Sequence, residues 1–245
     1  MNEPESDWRT QIAEIADGWL FSDVVGLFPE RVLIPFENPD YFNWEQYCRR
    51  LGNVRLHKGI AIGDYQERRI GVLKSKFGSA AACFATHLLA NRGVKKIVAI
   101  GYCGGIHPEY RSGQIVVSTS ASRISCTSRR YIPVQSDIEA SAGLLEAATN
   151  IAAVESLPLV HARTVSTDDI LLESSVQMQT LFDSGIHAID MECGGLYALG
   201  SFFQIETVAL MVVSDNPLSR QKADYAKVDE GMTAAIKLGL SILAS

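Results

Sequence analysis

The sequence contains no run of eighteen apolar residues, the length at which a segment begins to read as a membrane-spanning helix. Its start, MNEPESDWRT, is polar and acidic, whereas a secretory leader opens with basic residues ahead of an apolar stretch. Membrane and export are therefore not expected. No stretch of lysine or arginine runs beyond an adjacent pair, and net charge is −6 with a pI near 5.4. A chain of that balance lacks the basic stripe that tracks a phosphate backbone, so no nucleic-acid partner is expected. Cysteine is scarce. Cys48, Cys83, Cys103, Cys126 and Cys193 form an odd set without a C-x-x-C pair, which argues against a disulfide framework or a zinc ribbon and for reduced thiols in the cytoplasm. The five histidines never fall at i, i+4 spacing, so no metal is expected. Repeats, low-complexity segments and linkers are also missing. The expectation is one domain over 1–245, with residues 1–28 as an N-terminal extension.

From Arg31 onward, short β-branched runs alternate with amphipathic helical stretches. The pattern predicts an α/β fold: a three-layer sandwich around a twisted, mostly parallel mixed central sheet. Predicted strands are Arg31–Ile34, Gly59–Gly63 paired with Arg69–Ser75, Val94–Ile100, Ile115–Thr119, Val160–Val165, Ala188–Asp190 and Thr207–Val213. Predicted helices are Trp44–Leu51, a segment capped by Ser79 and ending before Gly93, one from Ser136 to about Val154, Ser174–Phe182, Gly194–Phe203 and Val228–Leu243. Ligands of open α/β sheets bind at strand C-terminal ends. Four such ends carry polar or glycine residues: Ile100 into Gly101, Val165 into Ser166-Thr-Asp168, Asp190 into Met-Glu192, and Val213 into Ser214-Asp215. One shared pocket is expected there.

Asp215 follows an apolar strand, which makes it a candidate general acid; Ser214, Asp215 and Asn216 also suit a plain turn before Pro217. Asp190 and Glu192 stand at i, i+2, where extended side chains share a face and two carboxylates can accept hydrogen bonds from a ribose diol. The alternative is that Glu192 only answers a helix dipole. Gly101-Tyr-Cys-Gly-Gly105 can bring backbone close to a ligand and offer N–H groups to an anion, or be a tight turn. It is neither a Walker A loop nor a dinucleotide fingerprint. Cys103 within it has no neighbouring base and makes a poor nucleophile.

Taken in order, Val32–Pro35, Asn53-Val-Arg55, Lys74-Ser-Lys-Phe-Gly78, Gly101–Gly105 with Gly113-Gln-Ile-Val-Val117, Ser166-Thr-Asp168, Asp190-Met-Glu192 and Ser214-Asp215 resemble the nucleoside phosphorylase and nucleosidase superfamily. The resemblance runs from about Val32 to the C-terminal helix. It implies Glu192 and Met191 at a ribose, Asp215 protonating a purine base, and Gly101, Tyr102 and Cys103 beneath the sugar. It also implies Ser166, Asp168, Ser214 and Asp190 around the ligand, and a homo-oligomer (dimer, trimer or hexamer) in which Arg55 reaches a neighbouring subunit's site.

Three departures bear on the reaction. Phe36-Glu-Asn-Pro-Asp-Tyr41 and Ala99 replace two phosphate-binding arginines of the family, and Tyr102 replaces its small hydroxyl residue. Ile170 and Leu171 stand where purine phosphorylases carry a stacking aromatic. With Phe36 at the site and Glu37 available as a base for water, hydrolysis of a purine-type nucleoside is the first expectation, although Glu37 also fits an exposed loop acid. Phosphorolysis, with phosphate as co-substrate and no other cofactor, is the alternative. A non-catalytic nucleoside-binding relative is a second one.

Overall fold

The computed structural model describes residues 5–38, 42–123, 127–132, 137–172 and 174–245. Ten strands form one mixed sheet: β1 Arg31–Pro35, β2 Gly52–Leu56, β3 Ile60–Tyr65, β4 Arg68–Leu73, β5 Lys96–Gly105, β6 Ile115–Arg123, β7 Ile138–Glu139, β8 Leu159–Ser166, β9 Ala188–Asp190 and β10 Glu206–Asp215. The helices are α1 Glu5–Phe21, α2 Trp44–Cys48, α3 Ser79–Asn91, α4 Ala142–Val154, α5 Ser175–Asp183, α6 Cys193–Phe203 and α7 Tyr225–Ala244. Helices α7 and α4 cover one face, and α3 and α6, with α1 against α3, the other. Among the described residues no helix is long and apolar enough to cross a membrane.

The strand order is β10-β6-β8-β9-β5-β1-β4-β3-β2, and β10 also pairs with β5. The sheet therefore closes on itself through β5, β10, β6, β8 and β9, while β1 to β4 extend as a flap. Strand β5 is the hinge of this arrangement. It runs parallel to β1 from Arg31↔Lys96 to Pro35↔Ile100, parallel to β10 as far as Asp215↔Gly104, and antiparallel to β9 through Gly104↔Ile189. A strand flanked on both edges and covered on both faces reads as a continuous apolar run, and Ile97, Val98, Ala99 and Ile100 are all buried.

Gly101–Gly105 is the end of this strand rather than a loop. Its glycines are there for packing. A Cβ on Gly104 would lie 3.0 Å from Ile189 Cγ2, and one on Gly105 would lie 2.9 Å from Tyr110 Cβ. The segment's backbone is drawn into the ladders with β10 and β9, so it does not form the anion-binding nest that glycine suggests.

Other boundaries move for local reasons. Ser79 is the first residue of α3, and Gly78, at φ 96°, is its N-cap. Helix α4 starts after Ser141, whose Oγ instead accepts from Thr207 N at 2.8 Å and ties the helix to β10; the expected cap, Ser136, lies outside the described residues. The sequence pattern assigns no element before Arg31, yet α1 occupies the extension. Long-range contacts hold it: Ala16 and Phe21 are buried, Asp17 pairs with Arg92 at the end of α3, and Leu20 O accepts from Gly59 N at 3.0 Å. The sequence pattern likewise assigns no strand to β2, which is an exposed edge paired, among the described residues, to β3 alone.

One contact sets α7 against the end of β10. Gly113, at φ 87°, donates its N–H to Val213 O at 2.9 Å, and a Cβ there would lie 2.4 Å from Lys227 O in the first turn of α7. Both the backbone angle and the space exclude a side chain. Gly113→Ala should cost about 2–4 kcal/mol, summing strain and overpacking, read as a lowered urea midpoint at unchanged slope.

Candidate functional site

A cavity of about 930 Å³ opens where β1, β5, β9 and β10 end. That volume is in the range of small-molecule sites, about 300–1,000 Å³. Each strand end delivers a side chain for a structural reason. Beyond Pro35 the chain keeps the ladder for one more bond, Phe36 N to Ile100 O at 2.7 Å, which buries Phe36 and turns Glu37 inward. In β10 the pairing with β5 slips between Val213 and Asp215; this bulge re-aims Asp215 at the cavity wall, as bulges do beside sites. Ser214 Oγ then donates to Asp215 Oδ1 at 2.6 Å and lies 3.2 Å from Cys103 O.

Asp215 is half-buried rather than sealed by the strand. The turn that follows is held by its neighbour: the buried Asn216 donates through Nδ2 to His107 O at 2.8 Å and accepts from Ser219 N at 2.9 Å. Asp215 is thereby spared the turn-forming role and faces the cavity.

On the opposite wall, β9 ends at Asp190 and α6 begins at Cys193. Asp190 Oδ1 accepts from Ser166 Oγ at 2.6 Å and from the N–H groups of Glu192 and Cys193 at 2.8 Å each. These bonds fix the turn from β9 into α6, whose N-cap is Glu192. The Oδ2 of Asp190 is buried without a hydrogen-bond partner among the described residues. Glu192, only 4 % exposed, accepts from Gly78 N at 2.5 Å and from Met191 N at 3.2 Å. Burial, reinforced by the charge of Asp190, pushes its carboxyl up to about 8 against the pull of those two N–H donors.

Glu37 is 6 % exposed, and its Oε1 has no hydrogen-bond partner among the described residues. Burial raises its carboxyl to about 7, opposed by the facing hydroxyl of Tyr47. The two groups face each other short of good hydrogen-bond geometry, since among the described residues Tyr47 Oη is also without a partner. Glu37 is thus not an exposed loop acid. Tyr102 stands beside it, its phenol pushed up to about 12 by burial and by the charges of Glu37 and Asp229.

Several expected residues lie elsewhere. Ser166 sits behind the cavity: β9 runs between β8 and β5, so the end of β8 meets Asp190, not a ligand. Its Oγ also accepts from Gly194 N at 2.7 Å, locking the start of α6. Asp168 is exposed beyond that layer and does not line the cavity. Gly101 packs under it, where a Cβ would come within 3.0 Å of Met211 Cε. Arg55 is on the exposed strand β2 and does not line this chain's own cavity. Phe36, Tyr102, Cys103, Met191 and Ser214 do line it. The Cys103 thiol is driven well above its ordinary range by burial and then by three nearby carboxylates, which removes it as a nucleophile. Asp229, Tyr225 and Gln46 line the cavity without any signal in the sequence, and Phe77 joins them from the Lys74–Gly78 segment that carries part of the family resemblance.

The described lining carries five carboxylates, from Glu37, Asp190, Glu192, Asp215 and Asp229, and no lysine, arginine or histidine. Ala99, where the family resemblance places an arginine, is fully buried inside the sheet between Ile34 and Ala209.

Residues 45–245 match the family model described as the phosphorylase superfamily. The chain is 24 % identical over 221 residues to purine nucleoside phosphorylase DeoD-type 2 of Vibrio vulnificus, covering 88 % of this chain and 93 % of the relative. It is 29 % identical over 206 residues to the DeoD-type purine nucleoside phosphorylase of Colwellia psychrerythraea, covering 80 % and 86 %. Uridine phosphorylase of Vibrio fischeri shares the fold at a TM-score of 0.80 and 19 % identity, covering 91 % and 94 %. Purine nucleoside phosphorylase of Toxoplasma gondii, in complex with immucillin-H, does so at 0.77 and 21 %, covering 89 % and 91 %.

Proposed function

Because the chain belongs to the phosphorylase superfamily, we propose that it is an enzyme cleaving the N-glycosidic bond of a purine-type nucleoside with water, rather than phosphate, as the attacking group. The observation that carries this is Glu37: a buried carboxyl with an oxygen unpartnered among the described residues, in a cavity whose described lining bears five carboxyl groups and no cation. Each charge-assisted contact to a phosphate contributes about 1.5–3 kcal/mol. A dianion here would gain none from this chain's lining and would meet like charge.

In this mechanism Glu192 and the Met191 backbone hold the ribose hydroxyls, and Asp190 fixes the turn that presents them. Asp215 gives its proton to the purine as the C1′–N bond lengthens, neutralising charge that develops on the departing base. The sugar becomes cationic, which an acidic cavity favours electrostatically. Water attacks C1′ while Glu37 takes its proton, and the proton returns to Asp215 through solvent. Free base and free ribose are the products.

The relatives are named phosphorylases, and that favours phosphorolysis as the second reading. A nucleoside panel assayed with and without inorganic phosphate separates the two. Hydrolysis predicts base release unchanged within about twofold when phosphate is removed, with free ribose as the sugar product. Strict dependence on phosphate, with ribose 1-phosphate formed, would sink it. Exposed Phe77, Ile170 and Tyr225 at the cavity mouth, and Arg55 on an exposed edge strand, support the companion proposal of a homo-oligomer whose neighbour covers the site.

A further inference from the structure

We propose that Tyr47 is a positioning residue, whose hydroxyl orients the Glu37 carboxylate toward the cavity and stabilises it once its proton has gone. The proposal rests on Glu37 acting as the base for water.

Tyr47 is completely buried on the short helix α2, and its Oη has no hydrogen-bond partner among the described residues. A buried hydroxyl left unmatched is unfavourable and needs a reason. Tyr197, almost equally buried, shows the usual outcome: it donates to Ser118 O at 2.7 Å and accepts from Ala209 N at 3.0 Å. Tyr47 instead faces Glu37, whose Oε1 is likewise buried and unpartnered among the described residues and which changes charge during the proposed turnover. The ring is held there. It stacks on Phe42 with centroids 5.4 Å apart and planes 10° from parallel, Phe42 meets Trp44 edge-on at 4.7 Å, and Lys74 Nζ lies 5.4 Å from the Phe42 centroid. Helix α2 is itself fixed by Asn43, whose side chain accepts from Glu45 N at 2.9 Å.

The other titratable groups around Glu37 do not supply this stabilisation. Tyr102 faces it from β5, half-buried on the cavity wall, and Asp229 from α7 lies beyond Tyr102 and is acidic. Tyr47 keeps its own proton, because burial and the charge of Glu37 both push its phenol upward. It is therefore a permanent donor. A donor to the ionised carboxylate favours that form, so losing it raises the pH at which Glu37 becomes a competent base.

The test is the pH dependence of kcat for base release without phosphate, in wild type, Tyr47→Phe and Glu37→Gln. Tyr47→Phe should move the acid limb upward, giving about a tenfold loss at pH 6.5 for one unit of displacement, while the rate near pH 9 stays within about threefold. A uniform loss at all pH values, or a limb coincident with wild type, would overturn the proposal. Glu37→Gln checks the premise separately: if it hydrolyses at the wild-type rate, the base assignment fails whatever Tyr47→Phe does. Should Tyr47→Phe not fold, judged by its thermal melt, Phe42→Leu keeps the hydroxyl but removes the ring that holds it. A smaller upward movement of the same limb is then expected, and none would overturn the proposal.

Discussion

Asp215→Asn should lower kcat for purine nucleosides by about 10²- to 10⁴-fold, the usual reach of a general acid, with little change in KM. The substitution is nearly isosteric. Its side-chain oxygen can still accept from Ser214 Oγ, now 2.6 Å from Asp215 Oδ1, and the bulge between Val213 and Asp215 is a backbone feature that Asn tolerates. What disappears is the transferable proton. An interaction made only as the base departs lowers kcat and kcat/KM together, so equal losses in both mark a transition-state role. A second substrate sharpens the test. A riboside whose leaving group departs without protonation, such as p-nitrophenolate, should be cleaved by Asp215→Asn within about tenfold of wild type. A similar large loss on both substrates would mean that the variant had damaged the site, and near-normal turnover of purine nucleosides would remove Asp215 from the chemistry.

The strand ends were legible in the sequence because β-branched runs stopping at polar or glycine residues report where a buried strand surfaces. That reading found the ends of β5, β9 and β10, and with them Asp215, Met191 and Glu192 on the cavity wall. It failed at β8. Strand order cannot be read from a linear pattern, and only the insertion of β9 between β8 and β5 turns Ser166 from a ligand contact into a support for Asp190. Glycine misled in a similar way: Gly101 to Gly105 signal a loop by composition, but here the missing Cβ atoms make room for side chains of neighbouring elements. Tyr47 and Asp229 were silent because their importance comes from tertiary placement on α2 and α7, outside any strand end. Helix α1 was silent for the same reason, being held by contacts to α3 and the chain near Gly59 rather than by its own pattern.

Glu37→Gln should move activity and stability in opposite directions. Hydrolysis should fall by about 10²- to 10⁴-fold, since glutamine cannot take the proton of water. Stability should rise, and the sign follows from linkage. The folded protein raises the Glu37 carboxyl from about 4.5 to about 7, so the native state binds this proton more tightly than the unfolded chain. Its ionised form therefore opposes folding above pH 7, and the penalty fades as pH falls through 7 toward 4.5. Neutral glutamine carries no such penalty. The variant should be more stable than wild type by about 1–3 kcal/mol at pH 8, with the difference vanishing near pH 4, as measured by urea unfolding at the two pH values. A residue kept only for packing would lose stability at both. The same variant also bears on the attacking group. Removing a carboxylate from a cavity with no cation in its described lining relieves repulsion toward an anion, so phosphorolysis would be unimpaired or faster in Glu37→Gln. Loss of base release with and without phosphate assigns Glu37 to water; retention of the phosphate-dependent rate assigns the reaction to phosphate instead.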